Sequence, residues 1–188
     1  MTARVILLCH AATAAMRAGR FPDDEAIEPD ALSNGAVLAA RLPRVDAVVS
    51  GRERRCLDTA EALGLAATPS AELDDWSVGA WRGRVLAEIA TAAPDLFAAW
   101  RSGPDAAPEG GESLRALLAR VGAWLDARMS ARKLLAVTHP AVVRAAVVHV
   151  LAAPPSSFWQ VDAGPLALVD LRHDGRRWAL RSSTLDAF

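Results

Sequence analysis

Two of the four histidines, His10 and His139, each follow directly on a short unbroken apolar run, VILLC at 5–9 and LLAVT at 134–138. A third such run, DAVVS at 46–50, leads into SGRERRCLDTA, where Arg52, Arg54 and Arg55 crowd the opening of a helical pattern. Imidazole gains and loses a proton near neutral pH, and guanidinium groups at the positive end of a helix form a cradle for an anion. These residue types therefore point to imidazole chemistry beside a bound anion. One histidine at a strand end is ordinarily a hydrogen-bonded structural residue, and a basic first turn is ordinarily solvated. Two strand-end histidines in one chain shift the balance toward function.

Positioning those groups requires elements that deliver them to one edge. Continuous apolar runs are the pattern of strands covered on both faces. Between and around them, helical patterns occupy 31–42, 53–63, 85–100, 113–129 and 140–151, with Pro94 breaking or kinking the third. The stretch LALVDLRHDGRRWALRSST reads as a hairpin turning at Asp174-Gly175. Strands alternating with helices predict an α/β fold, a three-layer α/β/α sandwich around a mostly parallel sheet. Ligands in such sheets sit beyond the carboxyl ends of the strands, where His10, His139 and the arginine loop would converge. The Pro- and Gly-rich 102–111, SGPDAAPEGG, is a loop.

The 188 residues suit a single domain, 1–188, with a full core. A formal net charge of -1 offers no global attraction to nucleic acid or to an anionic membrane, so any anion site must be local. No apolar run reaches the roughly 18–20 residues a membrane span needs, and the N-terminal run is shorter than a signal-peptide core, so a cytoplasmic protein is expected. Cys9 and Cys56 are too few for a disulfide framework and are read as free thiols. No Cys/His spacing indicates zinc, and no Gly-rich fingerprint indicates a nucleotide.

Taken together and in order, LLCHAAT, SGRERRCLDTA, DWSVGAWRG and VTHPAVVRA resemble the motifs of the histidine phosphatase superfamily, in its phosphoglycerate mutase-like branch. EGGES at 109–113 resembles that family's loop before a helix. The resemblance implies His10 as a nucleophile that becomes phosphorylated, with His139 stabilising the transferring group and Arg55 binding its oxygens. Asp75, four residues before Gly79, would be general acid and then base where the family usually has glutamate, with Asp74 the neighbouring alternative. Aspartate is one methylene shorter, which moves the donor by about 1 Å unless the backbone compensates. No cofactor is implied, and the partner is a phosphorylated small molecule.

The same comparison exposes a departure. The arginine expected just before the nucleophile is Cys9, the following glycine is Ala11, the usual acidic residue is Ala12, and a frequent asparagine is Met16, while Thr13 is retained. A charge-assisted hydrogen bond contributes about 1.5–3 kcal/mol, and one preorganised donor is worth roughly 10²- to 10³-fold in rate, so the loss matters. Arg17, Arg20, Arg52 and Arg54 are the candidates to replace it. Cys9 is not itself a phosphatase nucleophile of the Cys-x₅-Arg kind, because Ala15 stands where the arginine would be. Cys9, Thr13, Trp81, Arg17 and Arg20 are the residues expected around the substrate, with 16–29 and 102–111 shaping specificity. Arg144, five residues beyond His139 where the family often has an arginine, reads as structural, as do His149 and His173. Three readings follow: a phosphatase, a repurposed enzyme using His10, His139 and Asp75 for acid–base chemistry, or a binding protein without turnover.

Overall fold

The computed structural model describes residues 2–129 and 133–181. Six strands form one sheet in the order β3-β2-β4-β1-β5-β6. These are β1 (Ala3–Cys9), β2 (Ala47–Ser50), β3 (Thr68–Pro69), β4 (Lys133–Thr138), β5 (Leu168–His173) and β6 (Trp178–Arg181). The β1, β4, β2 and β3 pairings are parallel, and β5 and β6 add an antiparallel hairpin beside β1. The expected mostly parallel α/β sheet is therefore present.

The centre of the sheet is buried on both sides. Val5, Leu7 and Cys9 share one core with helices α6 (Leu114–Asp126) and α7 (Pro140–Val150), whereas Ile6 and Leu8 share the other with Cys56, Ala60 and Leu63. Alternate residues of a strand face opposite sides, and a covering layer on each side makes the run continuously apolar. Burying each Leu or Val side chain is worth about 1.5–3 kcal/mol, which fixes the register.

That register decides where the histidines go. Cys9 pairs with Thr138, so His10 and His139 leave adjacent parallel strands side by side, and the His10 N–H donates to the Thr138 carbonyl at 2.8 Å. On the other side of β4, Ser50 pairs with Val137, bringing the loop before α3 (Arg54–Ala62) to the same edge.

The helices differ from expectation at their boundaries. The predicted 31–42 helix forms only as α2 (Gly35–Arg41), after a run of turns. Pro94 separates two helices, α4 (Leu86–Ala92) and α5 (Pro94–Ser102), opening the second because a first-turn residue needs no N–H donor. A short helix α1 (Ala14–Arg17) and the edge strand β3 carried no sequence pattern of their own. The hairpin turns at Asp174 as expected, with the Asp174 carboxylate accepting from the N–H groups of Arg176 and Arg177. Positions 182–184 of that predicted hairpin lie outside the described residues. No helix among the described residues is long and apolar enough to cross a membrane.

Candidate active site

His10 is 3% exposed, and its Nδ1 lies 2.7 Å from the Ala11 carbonyl oxygen. A carbonyl only accepts, so Nδ1 carries the hydrogen and the neutral ring keeps its lone pair on Nε2. Burial, then the positive charge of His139, hold the ring's pKa down at about 4, overcoming the opposing hydrogen bond to Ala11. The two imidazoles meet edge to face with centroids 5.2 Å apart.

Helix α3 brings Arg55 in from the side of the sheet covered by Cys56 and Ala60. Its buried residues Arg55, Cys56, Thr59 and Ala60 recur at helical spacing, so the guanidinium stem lies on the inward face. The Ala11 N–H donates to Thr59 Oγ1 at 3.0 Å, and that hydroxyl donates to the Arg55 carbonyl at 2.6 Å, tying the loop after β1 to this helix. Arg55 Nη2 donates to Asp75 Oδ2 at 2.7 Å, and the same oxygen is 3.5 Å from His139 Nδ1. Burial would raise the Asp75 pKa, but the charges of His139, Arg55 and His10 outweigh it and hold the carboxyl below its usual range.

Sequence reasoning missed two residues that organise this cluster. Glu53, the N-cap of α3, accepts from His139 Nε2 at 2.9 Å through one oxygen and from the Asp75 N–H at 2.8 Å through the other. Burial opposes its ionisation, yet the hydrogen bond from His139 and its charge bring the Glu53 pKa down to about 2. Its only sequence signal is its place in SGRERRC, two residues before Arg55, in a stretch read for its arginines. Arg120, from α6, donates to the carbonyls of Glu72, Asp74 and Asp75 while paired with Glu112, and so fixes the backbone carrying the acid. Nothing local to Arg120 announces this.

A cavity of about 320 Å³ opens on His10 and is lined also by Thr13, Arg20, Arg55, Asp75, Arg101 and Arg144, against an aromatic wall that includes Trp76, Trp100 and Trp159. Four guanidinium groups against one carboxylate make it a place for an anion. On the far side of the Arg55–Asp75 pair lies a second cleft, of about 380 Å³, bordered by Asp24, Glu53 and Asp74. Its lining carries more carboxylates than guanidinium groups, Arg55 and Arg82 being the cationic ones, so it is less suited to an anion than the His10 cavity.

The remaining expected substrate residues separate. Thr13 caps α1 and lines the His10 cavity, and Arg20 stands at its edge. Arg17 does not reach it: the side chain is 77% exposed and paired with Glu28. Arg52 and Arg54 likewise point to solvent, toward Asp74 and Asp58. Trp81 is a correction as well, since it packs among Phe21, Phe97 and Trp100 and does not border the cavity. Cys9 is fully buried behind His10, its thiol pushed up to about 12 chiefly by burial, and is not a lining residue. Asp74 is taken up by Arg52 and leaves the inner position to Asp75.

Comparison with known proteins places the chain in a family. Residues 5–186 match the family described as the histidine phosphatase superfamily (branch 1). A glucosyl-3-phosphoglycerate phosphatase of Mycolicibacterium vanbaalenii is 39% identical over 87 residues, 44% of this chain and 38% of that protein. The Mycobacterium tuberculosis protein of the same name is 37% identical over 87 residues. The aligned stretch thus spans well under half the length of these curated relatives. Among solved structures, a mycobacterial glucosyl-3-phosphoglycerate phosphatase in complex with VO3 superposes with a TM-score of 0.82 at 25% identity, covering 95% of this chain and 97% of that one. An alpha-ribazole phosphatase from Shigella flexneri shares the fold, with a TM-score of 0.82 at 20% identity over 95% and 94% of the two chains. With two strand-end histidines, a buried arginine and an acid converging at one sheet edge, and a family match running through all four, the chain belongs to branch 1 of the histidine phosphatase superfamily.

Proposed function

We propose that the protein is a metal-independent phosphatase that hydrolyses a phosphomonoester of a small metabolite through a phosphohistidine on His10. The observation that carries this reading is the state of His10, a neutral ring whose Nδ1–H is committed to the Ala11 carbonyl and whose Nε2 is left as the nucleophile. The lone pair of Nε2 attacks phosphorus, the bond to the ester oxygen breaks, and that oxygen takes a proton from Asp75. Asp75, now a carboxylate, then takes a proton from the water that attacks the phosphohistidine, which returns His10 and releases phosphate. Arg55 binds the equatorial oxygens and His139 faces their growing charge. In the free protein Arg55 and His139 hold Asp75 ionised. A phosphate dianion that engages Arg55 and adds its own negative charge shifts Asp75 toward its protonated, donating form.

The aromatic wall of the His10 cavity suits a substrate that carries a ring in addition to its phosphate, and relatives are named for glucosyl-3-phosphoglycerate and alpha-ribazole. In this reading Cys-His-Ala stands where the family has Arg-His-Gly. One observation favours a repurposed acid–base enzyme instead: the thiol at position 9 is uncharged and Ala11 and Ala12 offer no side-chain donor, so the loop after β1 supplies little for a phosphate.

The deciding experiment measures phosphate release from a panel of sugar and nucleoside phosphates in the presence of a chelator, with His10→Ala as control. Release that falls at least 10³-fold in the variant, with an acid-labile phosphoprotein trapped in the wild type, is expected. A folded protein that releases nothing and ignores millimolar phosphate, yet processes another substrate in a His10-dependent way, belongs to the repurposed reading.

A further inference from the structure

We infer that Arg144, on helix α7, supplies to the transferring phosphoryl group the guanidinium that position 9 of β1 does not. The inference rests on the phosphatase reading above.

Cys9 ends β1 with its side chain on the α7 side of the sheet, in the same core as Val142, Val143 and Ala146. A thiol there carries no positive charge, so a cation on that side has to come from another element. Pro140, Ala141 and Arg144 stand on one face of the first turns of α7 and together form a wall of the cavity that contains His10. The charge of Arg144 is felt at Cys9 more strongly than that of any other ionised group. Arg144 thus stands on the helix that packs against the Cys9 side of the sheet.

Its partners, or lack of them, separate Arg144 from the other basic residues. Arg17, Arg52 and Arg54 are each paired with a carboxylate and mostly exposed. Arg101 is stacked on Trp159 at 4.2 Å, and Arg20 is exposed. Arg144 is partly buried, its guanidinium 5.8 Å from the Phe158 ring centre, and among the described residues no carboxylate lies within ion-pair distance. Its Nε is buried without an acceptor, and so is the Nε of Arg55. Two guanidinium groups thus line one cavity, each with a buried N–H unmatched, one brought by α3 from one face of the sheet and the other by α7 from the opposite face. Neither guanidinium is saturated by protein acceptors, so both keep N–H groups to donate to a tetrahedral oxyanion held in the cavity between them.

The test uses the full chain and inorganic vanadate, followed through the fluorescence of Trp76, Trp100 and Trp159, with hydrolysis of 4-nitrophenyl phosphate measured in parallel. That ester has one anionic group only. Arg144→Met is expected to weaken vanadate binding and to lower kcat/KM for this ester by about 10²-fold or more, Arg144→Lys to recover part of the loss, and Cys9→Arg in the Arg144→Met background to recover more. Vanadate affinity and ester hydrolysis within threefold of the wild type in Arg144→Met overturn the inference. So does a loss confined to substrates bearing a second anionic group, which would make Arg144 a contact to a remote part of the substrate. Should Arg144→Met fail to fold, the near-isosteric Arg144→Gln decides between the same outcomes. A wild type that neither binds vanadate nor releases phosphate from any ester sinks the phosphatase reading itself and this inference with it, a result distinct from an active wild type indifferent to Arg144.

Discussion

His139 shows how much a single carboxylate decides at the residue scale. Its Nε2 donates to Glu53, its Nδ1 is 3.5 Å from Asp75, and the Cys56 sulfur lies 3.3 Å from Nε2, all in a site where the ring has no exposure. Gly51 makes this possible, because a Cβ there would stand 2.8 Å from Nε2 and 2.9 Å from the Leu73 carbonyl oxygen. Replacing Glu53 by Leu leaves the His139 N–H and the Asp75 N–H without their acceptor. A destabilisation of about 2–3 kcal/mol is expected from urea unfolding midpoints, with Glu53→Gln losing clearly less because its amide oxygen still accepts. Equal losses in the two variants would mean that Glu53 acts through packing alone. The sequence placed Arg55 correctly at the helix start, but the same stretch gives no hint that Glu53 turns inward, because capping and solvent exposure are equally open to a carboxylate there.

At the scale of elements, the acid-bearing segment 72–79 has no regular structure strong enough to hold itself, and it is held by others. Thr138 of β4 donates to the Leu73 carbonyl at 2.8 Å, Arg120 of α6 holds three further carbonyls, and the Trp76 indole donates to the Glu112 carbonyl at 2.8 Å. The EGGES loop closes this brace. Gly79, at φ +49°, lies so close to Glu109 and Gly111 that a Cβ there would overlap the Glu109 carbonyl oxygen. Gly79→Ala should therefore cost about 1–3 kcal/mol and loosen the loop ahead of α6, read as a lower melting temperature and faster proteolysis between 102 and 113. Wild-type behaviour in both assays would show that the loop yields without strain. Ser113 capping α6 by accepting from the Ala116 N–H was readable from its type and place. The brace was not, since it joins residues 30 or more positions apart.

For the whole molecule, the buried groups His10, Glu53 and Asp75 contribute a dependence of stability on pH. His10 is neutral in the fold down to about 4, while in the unfolded chain it takes up a proton near 6.5. Between those values the unfolded state binds more protons, so stability present above pH 6.5 is lost as pH falls toward 4. Glu53 acts lower, with stability present above about 4.5 and lost as pH falls toward 2, and Asp75 adds to it in the same direction. Urea unfolding of the wild type should weaken in both windows, His10→Gln should flatten the upper one, and Glu53→Gln the lower. An unchanged slope between pH 6.5 and 4 in His10→Gln would show that His10 is not held neutral by burial.

The chain by itself determined the sheet apart from its edge strand β3, the two strand-end histidines and the arginine-bearing helix, because each depends on local patterns: continuous apolar runs, helical periodicity, and a basic first turn. It also carried the family resemblance in four motifs strung along its length. Only the tertiary structure decided which charges meet. Arg17, Arg52 and Arg54 find carboxylates at the surface, Trp81 sinks into an aromatic core, and Glu53, Arg120 and Arg144 turn toward the site. A guanidinium or a carboxylate has much the same local preference in either place. What separates the two is which partner the packing of distant elements brings within about 3 Å, and short-range pattern does not encode that distance.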